Sequence, residues 1–426
     1  MREDFLHFIW KNKLFKLGEL YSVLDEKIQI LKVGTHNFDA GPDFLNALLI
    51  IGNQKWAGNI ELHINASDWY VHNHEQDKAY DTIILHVVWN NDVAVFDANN
   101  NQIVTLELQQ YVDDSLLESY NKLFSKSKKW LNCEKDISSI SKFTLDNWLE
   151  KLYVERLEKK SDLILNLLQQ SNNDWEAVLF KLLAKNFGLK VNAGAFLNLA
   201  NSFDFSVLRK CFSSVEQVES LLFGQANLFK KDCDDLYYKS LKEEYKFLQN
   251  KFKLTPIHVT EIKFFRLRPN NFPTIRLSQL ANLYVKEQSL FTKLMSINSL
   301  EVFYDLFKVG VSDYWKTHYS FGVASKKSSK NLTKSFVDLL LINTIIPLQF
   351  MYQKQQGNLD IEKLLSLINQ IKPEKNSIID KYNKIGVKSN SAFKTQALLQ
   401  LNTNYCKKNN CLSCVVANVL LNRKVR

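Results

Sequence analysis

The sequence predicts an α+β protein, with strands gathered near the N-terminus and helices filling the rest. Short runs rich in Ile, Val and Leu, parted by Gly, Asn and Asp, occupy residues 28–108. From about residue 112 the apolar positions change to helical spacing, as at Leu145, Trp148, Leu149 and Leu152. The chain is also poor in Gly (12) and Pro (6) but rich in Phe (28) and Tyr (16), which favours long helices around a substantial core over disorder.

Taken in order, residues 3–24 read as one or two helices. Five strands follow in "IQILKV", "FLNALLIIG", "KWAGNIELHIN", "TIILHVVW" and "IVTLEL". Residues 68–81 lack alternation and read as a loop with a short helix, so the expected order is α-β-β-β-α-β with further strands. Helices are expected at 174–188, 214–228, 236–252, 276–285, 331–352 and 361–372, with Gly224 allowing close helix approach. The expected division is an α/β domain at 1–112, a helical domain at 113–400, and a C-terminal cysteine-bearing segment at 401–426 that packs back on the chain.

With 426 residues, 46% of them apolar, the chain can bury two or three cores. Its net charge of +10 favours an acidic partner such as nucleic acid. The start "MREDFLHFIWKNK" fits neither a secretory signal nor a transit peptide, so a cytoplasmic location with reduced cysteines is expected. The apolar run 336–352 contains Asp338, Asn343, Pro347 and Gln349 and is short for a bilayer, so a buried helix is expected and no membrane partner.

Three constellations carry chemistry. If "FLNALLIIG" and "KWAGNIELHIN" pair as a hairpin about Gly52, Asp43 and Glu61 meet at one end, and Glu61 and His63 share a face. Such a set suits Mg2+ or Mn2+. His72, His74 and His86 lie close by, so four of the eight histidines fall between 63 and 86. His72 and His74 are candidate metal ligands, His86 reads as a buried imidazole, and Asp68, Asp77 and His36 crowd the same region. Near the C-terminus, Cys406, Cys411 and Cys414 form C-x4-C-x2-C and, with Cys133 as the fourth thiolate, suit an iron–sulfur cluster or Zn2+. Finally, Arg266, Arg268 and Arg276 alternate with Phe264, Phe265 and Phe272, a pattern suited to phosphate contact and base stacking, or equally to a rigid connector.

The residues "GPDF" (41–44) and "IELHI" (60–64) resemble the PD-(D/E)xK nuclease superfamily. The resemblance implies a core with a mixed sheet, Asp43 and Glu61 as catalytic metal ligands, and His63 at the position of the superfamily's lysine. The cysteine arrangement is similar to that of nucleases in which four cysteines clamp such a domain around an iron–sulfur cluster. Over most of its length, at "GPDFLNALLIIG", "GNIELHINASDWYVHNHEQDKAYDTIILHVVW", "LLFGQANLF", "FFRLRPNNFPTIRLSQLA" and "YCKKNNCLSC", the chain is identified as a member of the domain-of-unknown-function 2851 family. That resemblance implies no reaction. The function expected from the residues is a metal-dependent, nuclease-like protein that acts on or binds nucleic acid; the alternative is a non-catalytic nucleic-acid or protein-binding scaffold with a vestigial metal site.

Overall fold

The computed structural model describes residues 1–125, 129–230, 233–257 and 262–424. They form two compact units, one made of Met1–Trp148 with Asn402–Arg426, the other of Leu149–Leu401. The expected divide at residue 112 therefore falls inside the first unit. A change of hydrophobic period marks a change of element type, not where chain contacts thin out.

The first unit begins with α1 (Glu3–Lys11), whose Phe5, Leu6, Ile9 and Trp10 are fully buried. One helix, not two, precedes the strands, because residues 12–19 carry exposed polar groups and Gly18 in place of an apolar stripe. A seven-stranded sheet follows: β1 (Leu20–Tyr21), β2 (Lys27–Lys32), β3 (Thr35–His36), β4 (Phe44–Ile51), β5 (Gln54–Asn65), β6 (Ile83–Asn90) and β7 (Thr105–Glu107). Its spatial order is β1-β2-β4-β5-β6-β7, with β3 paired to β4. Strands β1 to β5 pair antiparallel, whereas β5-β6 and β6-β7 are parallel, so the sheet is mixed. The short helix α2 (Asp68–Val71) and two 3-10 turns make the crossover from β5 to β6, as the expected α-β-β-β-α-β order requires, but five strands precede it, because the two-residue β1 and β3 are too short to show in the sequence pattern.

Two backbone features aim this sheet. At the β4-β5 turn, Gly52 at φ +59 supplies the left-handed first position that tight hairpin turns need. Further along, Phe44 opposes Ile60 while Ala47 opposes Gly58, so β4 carries one extra residue there, and Asn46 takes it up at φ +57. Such bulges bend a strand and redirect its end. Asp43 lies just beyond this one.

After β7, α3 (Asp114–Phe124) also belongs to the first unit, and the chain returns to it through the cysteine-bearing segment and the helix Val415–Leu421. The second unit is dominated by helices, among them α4 (Lys142–Gln170, which starts in the first unit), α5 (Trp175–Phe187), α6 (Leu189–Asn201), α7 (Phe205–Lys210), α8 (Val215–Gln225), α9 (Leu236–Phe252) and α10 (Pro273–Lys286). Packing of α8 on α9 relies on Gly224, where a Cβ would lie 2.1 Å from the Tyr245 ring. The apolar helix Lys334–Gln355 is interrupted by a π-turn at Leu341–Ile345, and 72% of its most apolar window is buried inside the protein.

Candidate metal centre

The bulge and the hairpin bring Asp43 and Glu61 together. Glu61 Oε2 accepts from the backbone N–H of Asp43 at 3.0 Å, and Asp43 Oδ2 accepts from the N–H of Leu62 at 2.9 Å. Each carboxylate thus holds the other's strand. Glu61 and His63 share one face of β5, as alternation requires, and are 5% and 1% exposed, so their polar atoms must find partners inside the protein.

Those partners are mostly histidines. His63 Nδ1 lies 2.9 Å from His86 Nε2, because β6 sets His86 in register with Glu61 on the neighbouring strand. On its other side, His63 Nε2 lies 3.1 Å from His72 Nδ1 and 3.7 Å from Glu61 Oε1. His74 Nε2 meets the same Glu61 oxygen at 3.4 Å. The residue between His72 and His74 is Asn73 at φ +59, a left-handed conformation that Asn tolerates better than most residues. This turn brings both rings to one side, and the donor atoms of His63, His72 and His74 lie within 4.8 Å of one another.

A second group sits at the other face of the acid pair. His7, on α1, lies 3.1 Å from Asp43 Oδ2, and the donor atoms of Glu3, His7 and Asp43 also converge within 4.8 Å. Glu61 therefore turns one oxygen towards the imidazole-rich group and the other towards Asp43. Glu3 and His7 are residues the sequence reading passed over. They sit one turn apart on a helix, which carries no ligand signature until the helix is docked on the sheet.

Charge distribution separates the two groups. Burial, reinforced by the surrounding histidines, pushes the His63 pKa down to about 2, and burial pushes that of His86 down to about 3. Both rings stay neutral at physiological pH. His63, which stands where the resemblance puts a lysine, is therefore no fixed cation, and a neutral imidazole is suited to ligation. Burial also opposes charge on His7, but Asp43, Glu3 and Glu61 outweigh it and raise its pKa. The Glu61 and Glu3 carboxyls are pushed up, chiefly by burial and with Asp43 contributing.

His7 and Asp43 of this group border a cleft of about 630 Å³. Lys11, Asn37, His36 and Phe38 form part of its wall, and Asn410, Leu412 and Ser413 of the C-terminal segment form another. Phe38 is 83% exposed, an unusual setting for such an apolar ring. His36 stacks on Phe44 with ring centroids 4.8 Å apart and contacts His7 edge-on. Asp68 and Asp77, by contrast, serve the backbone: Asp68 accepts from Asn65 N–H, and Asp77 caps the turn at Lys78.

The four cysteines Cys133, Cys406, Cys411 and Cys414 line one small cavity within the first unit. In the second unit the three arginines are not equivalent. Arg266 and Arg268 are exposed, whereas Arg276 is 8% exposed, donates to Asn271 Oδ1 and Gln279 Oε1, and lies 3.8 Å over the Phe336 ring. Arg268, Arg276 and Lys330 line a pocket of about 230 Å³ that has no carboxylate in its wall.

Searches of the curated proteins and of the solved structures found no match. Residues 3–377 match the model of a family described as "protein of unknown function (DUF2851)", a span that ends before the cysteines of the C-terminal segment. The chain belongs to this family.

Proposed function

We propose that the protein is a metal-dependent hydrolase acting on nucleic-acid phosphodiesters. The observation that carries this reading is the convergence of two three-ligand groups on the acid pair Glu61 and Asp43. His63, His72 and His74 with Glu61 form a nitrogen-rich set suited to Zn2+, Fe2+ or Mn2+, and Glu3, His7 and Asp43 form an oxygen-richer set suited to Mn2+ or Mg2+. Bound there, metal ions would generate hydroxide near neutral pH and neutralise charge developing on a phosphoryl group. His86 orients His63, Lys11 offers a cation to a phosphate at the cleft, and the exposed Phe38 offers a face on which a base can stack.

The element order and the position of Asp43 and Glu61 support a likeness to the PD-(D/E)xK nucleases, with imidazoles taking over as ligands where the lysine would stand. The net charge of +10 and the cationic pocket of Arg268, Arg276 and Lys330 support an acidic polymer as the substrate. A second reading, a nucleic-acid-binding scaffold, is favoured by the neutral His63, which leaves the motif without its cation.

The test is metal analysis of the purified protein joined to cleavage assays on single- and double-stranded DNA and RNA with Mn2+, Mg2+ or Zn2+. Metal-dependent cleavage that is lost in folded Glu61→Gln and His74→Ala is expected. Binding of metal and nucleic acid without cleavage would select the scaffold, and equal cleavage by Glu61→Gln would remove this centre from the chemistry.

A further inference from the structure

Cys133, Cys406, Cys411 and Cys414 are separated by up to 281 positions in the chain yet line a single small cavity, whose remaining wall is largely apolar, from Leu123, Leu131 and Ala417. Three local devices hold them. Cys133 accepts two backbone hydrogen bonds at its carbonyl, from Asp136 and Ile137, which close a turn around it. Cys406 ends a π-turn (Leu401–Cys406), after which Asn409 at φ +54 reverses the chain and Cys414 N–H bonds back to Cys411 O at 2.9 Å. The side chain of Asn132, next to Cys133, donates to Cys411 Sγ at 3.3 Å.

We propose that these four cysteines hold one thiolate-bound metal centre, a zinc ion or an iron–sulfur cluster, that fastens the segment 402–424 to the N-terminal part of its unit. Four sulfurs on one small cavity select a soft or borderline metal. Zinc and iron–sulfur clusters both take four thiolates. The Asn132 amide and the backbone N–H groups of Val416 and Ala417, which favour the thiolate of Cys414, supply the sulfur-directed hydrogen bonds that such centres use.

Four thiolates facing one small cavity would repel one another without a cation, so ligation, which releases the thiol protons, supplies the missing positive charge. The consequence reaches the cleft, because Asn410, Leu412 and Ser413 in its wall lie between or beside the ligands Cys411 and Cys414.

The full-length chain, purified without oxygen from iron-replete cells, is analysed for iron, acid-labile sulfide and zinc, and its visible spectrum is recorded. One zinc per chain, or iron and sulfide in equal amounts with broad visible absorption that bleaches on reduction, is expected at this centre, and the analysis distinguishes the two. Cys133→Ser and Cys411→Ser should both bring that metal to background, while Cys211→Ser, a buried cysteine elsewhere, and His74→Ala should retain it. If the ligand variants fail to fold, alkylation of the native wild type gives a second readout, with these four thiols protected until the metal is chelated. Neither zinc nor iron with sulfide lost in the ligand variants, or four freely alkylated thiols in the native protein, would overturn the assignment. The result is independent of whether the histidine centre cleaves anything.

Discussion

His86 makes no contact with the proposed ions but decides which nitrogen of His63 is free to hold one. The two rings share a proton between His63 Nδ1 and His86 Nε2, 2.9 Å apart. A metal at His63 Nε2 requires the proton on Nδ1, donated to an unprotonated His86 Nε2, and burial that lowers the His86 pKa to about 3 keeps that acceptor available. Replacing His86 with Leu removes the acceptor and frees the His63 ring to adopt the other tautomer. Loss of such an outer hydrogen bond costs about 10–100-fold in metal affinity, or about 1.4–2.7 kcal/mol. Stability should fall by about 1–3 kcal/mol, since Leu leaves the buried Nδ1 of His63 without its partner, while the Nδ1 of His86, which has none beside Trp69, is removed with the ring. Titration of chelator-treated protein with Zn2+ or Mn2+ by calorimetry reads the affinity, and thermal unfolding checks the fold. An affinity unchanged within about twofold, in a variant that remains folded, would refute this ordering of the rings.

Acid should weaken the metal-free protein. Below the ordinary histidine pKa of 6.5 the unfolded chain gains protons that buried His63 and His86 refuse, so each removes about 1.4 kcal/mol per pH unit as pH falls from about 6 towards 3. Glu3, Glu61 and His7, whose pKa values are raised, bind protons more readily when folded and oppose that trend. Urea unfolding at several pH values should show a net loss that is smaller in His86→Leu, and a pH-independent midpoint would contradict it. Gly224→Ala should cost about 1–3 kcal/mol in the helical unit, because the new Cβ meets the Tyr245 ring at 2.1–2.3 Å and that ring is only 6% exposed. Unchanged thermal stability would mean that α9 yields freely. Phe38→Ala should weaken single-stranded oligonucleotide binding by about 1–3 kcal/mol and leave metal affinity intact, as fluorescence anisotropy would measure.

Much of the local structure was written in the sequence. The period-2 runs predicted β2, β4, β5 and β6 within a residue or two, and helical spacing predicted α4, α5, α8, α9, α10 and the helices Lys334–Gln355 and Ile361–Gln370, but not α6 or α7, because each pattern must match one backbone geometry to bury its apolar atoms. The meeting of Asp43 with Glu61 was legible too, since a two-residue turn at Gly52 leaves few registers for the hairpin. Clustering of His72 and His74 near Glu61 was visible only as proximity along the chain. That His72 meets His63 while His74 meets Glu61 depends on a single left-handed residue, Asn73.

Other features were decided by tertiary structure alone. Glu3 and His7 became candidate ligands because α1 docks on β5, and no pattern within nine helical residues says which strand they will face. The neutrality of His63 comes from burial and from four neighbouring imidazoles, one of them delivered by a parallel strand 23 positions away. Arg276, one of three arginines alike on paper, is buried because α10 is buried almost all round, while Arg266 and Arg268 precede it on exposed chain. The sequence by itself determined which residues can make strands, helices and ligands, because those are short-range properties of the chain. Only the tertiary structure decided which ligands share a centre and which charges survive there, because desolvation and through-space contact depend on segments that the chain order keeps apart.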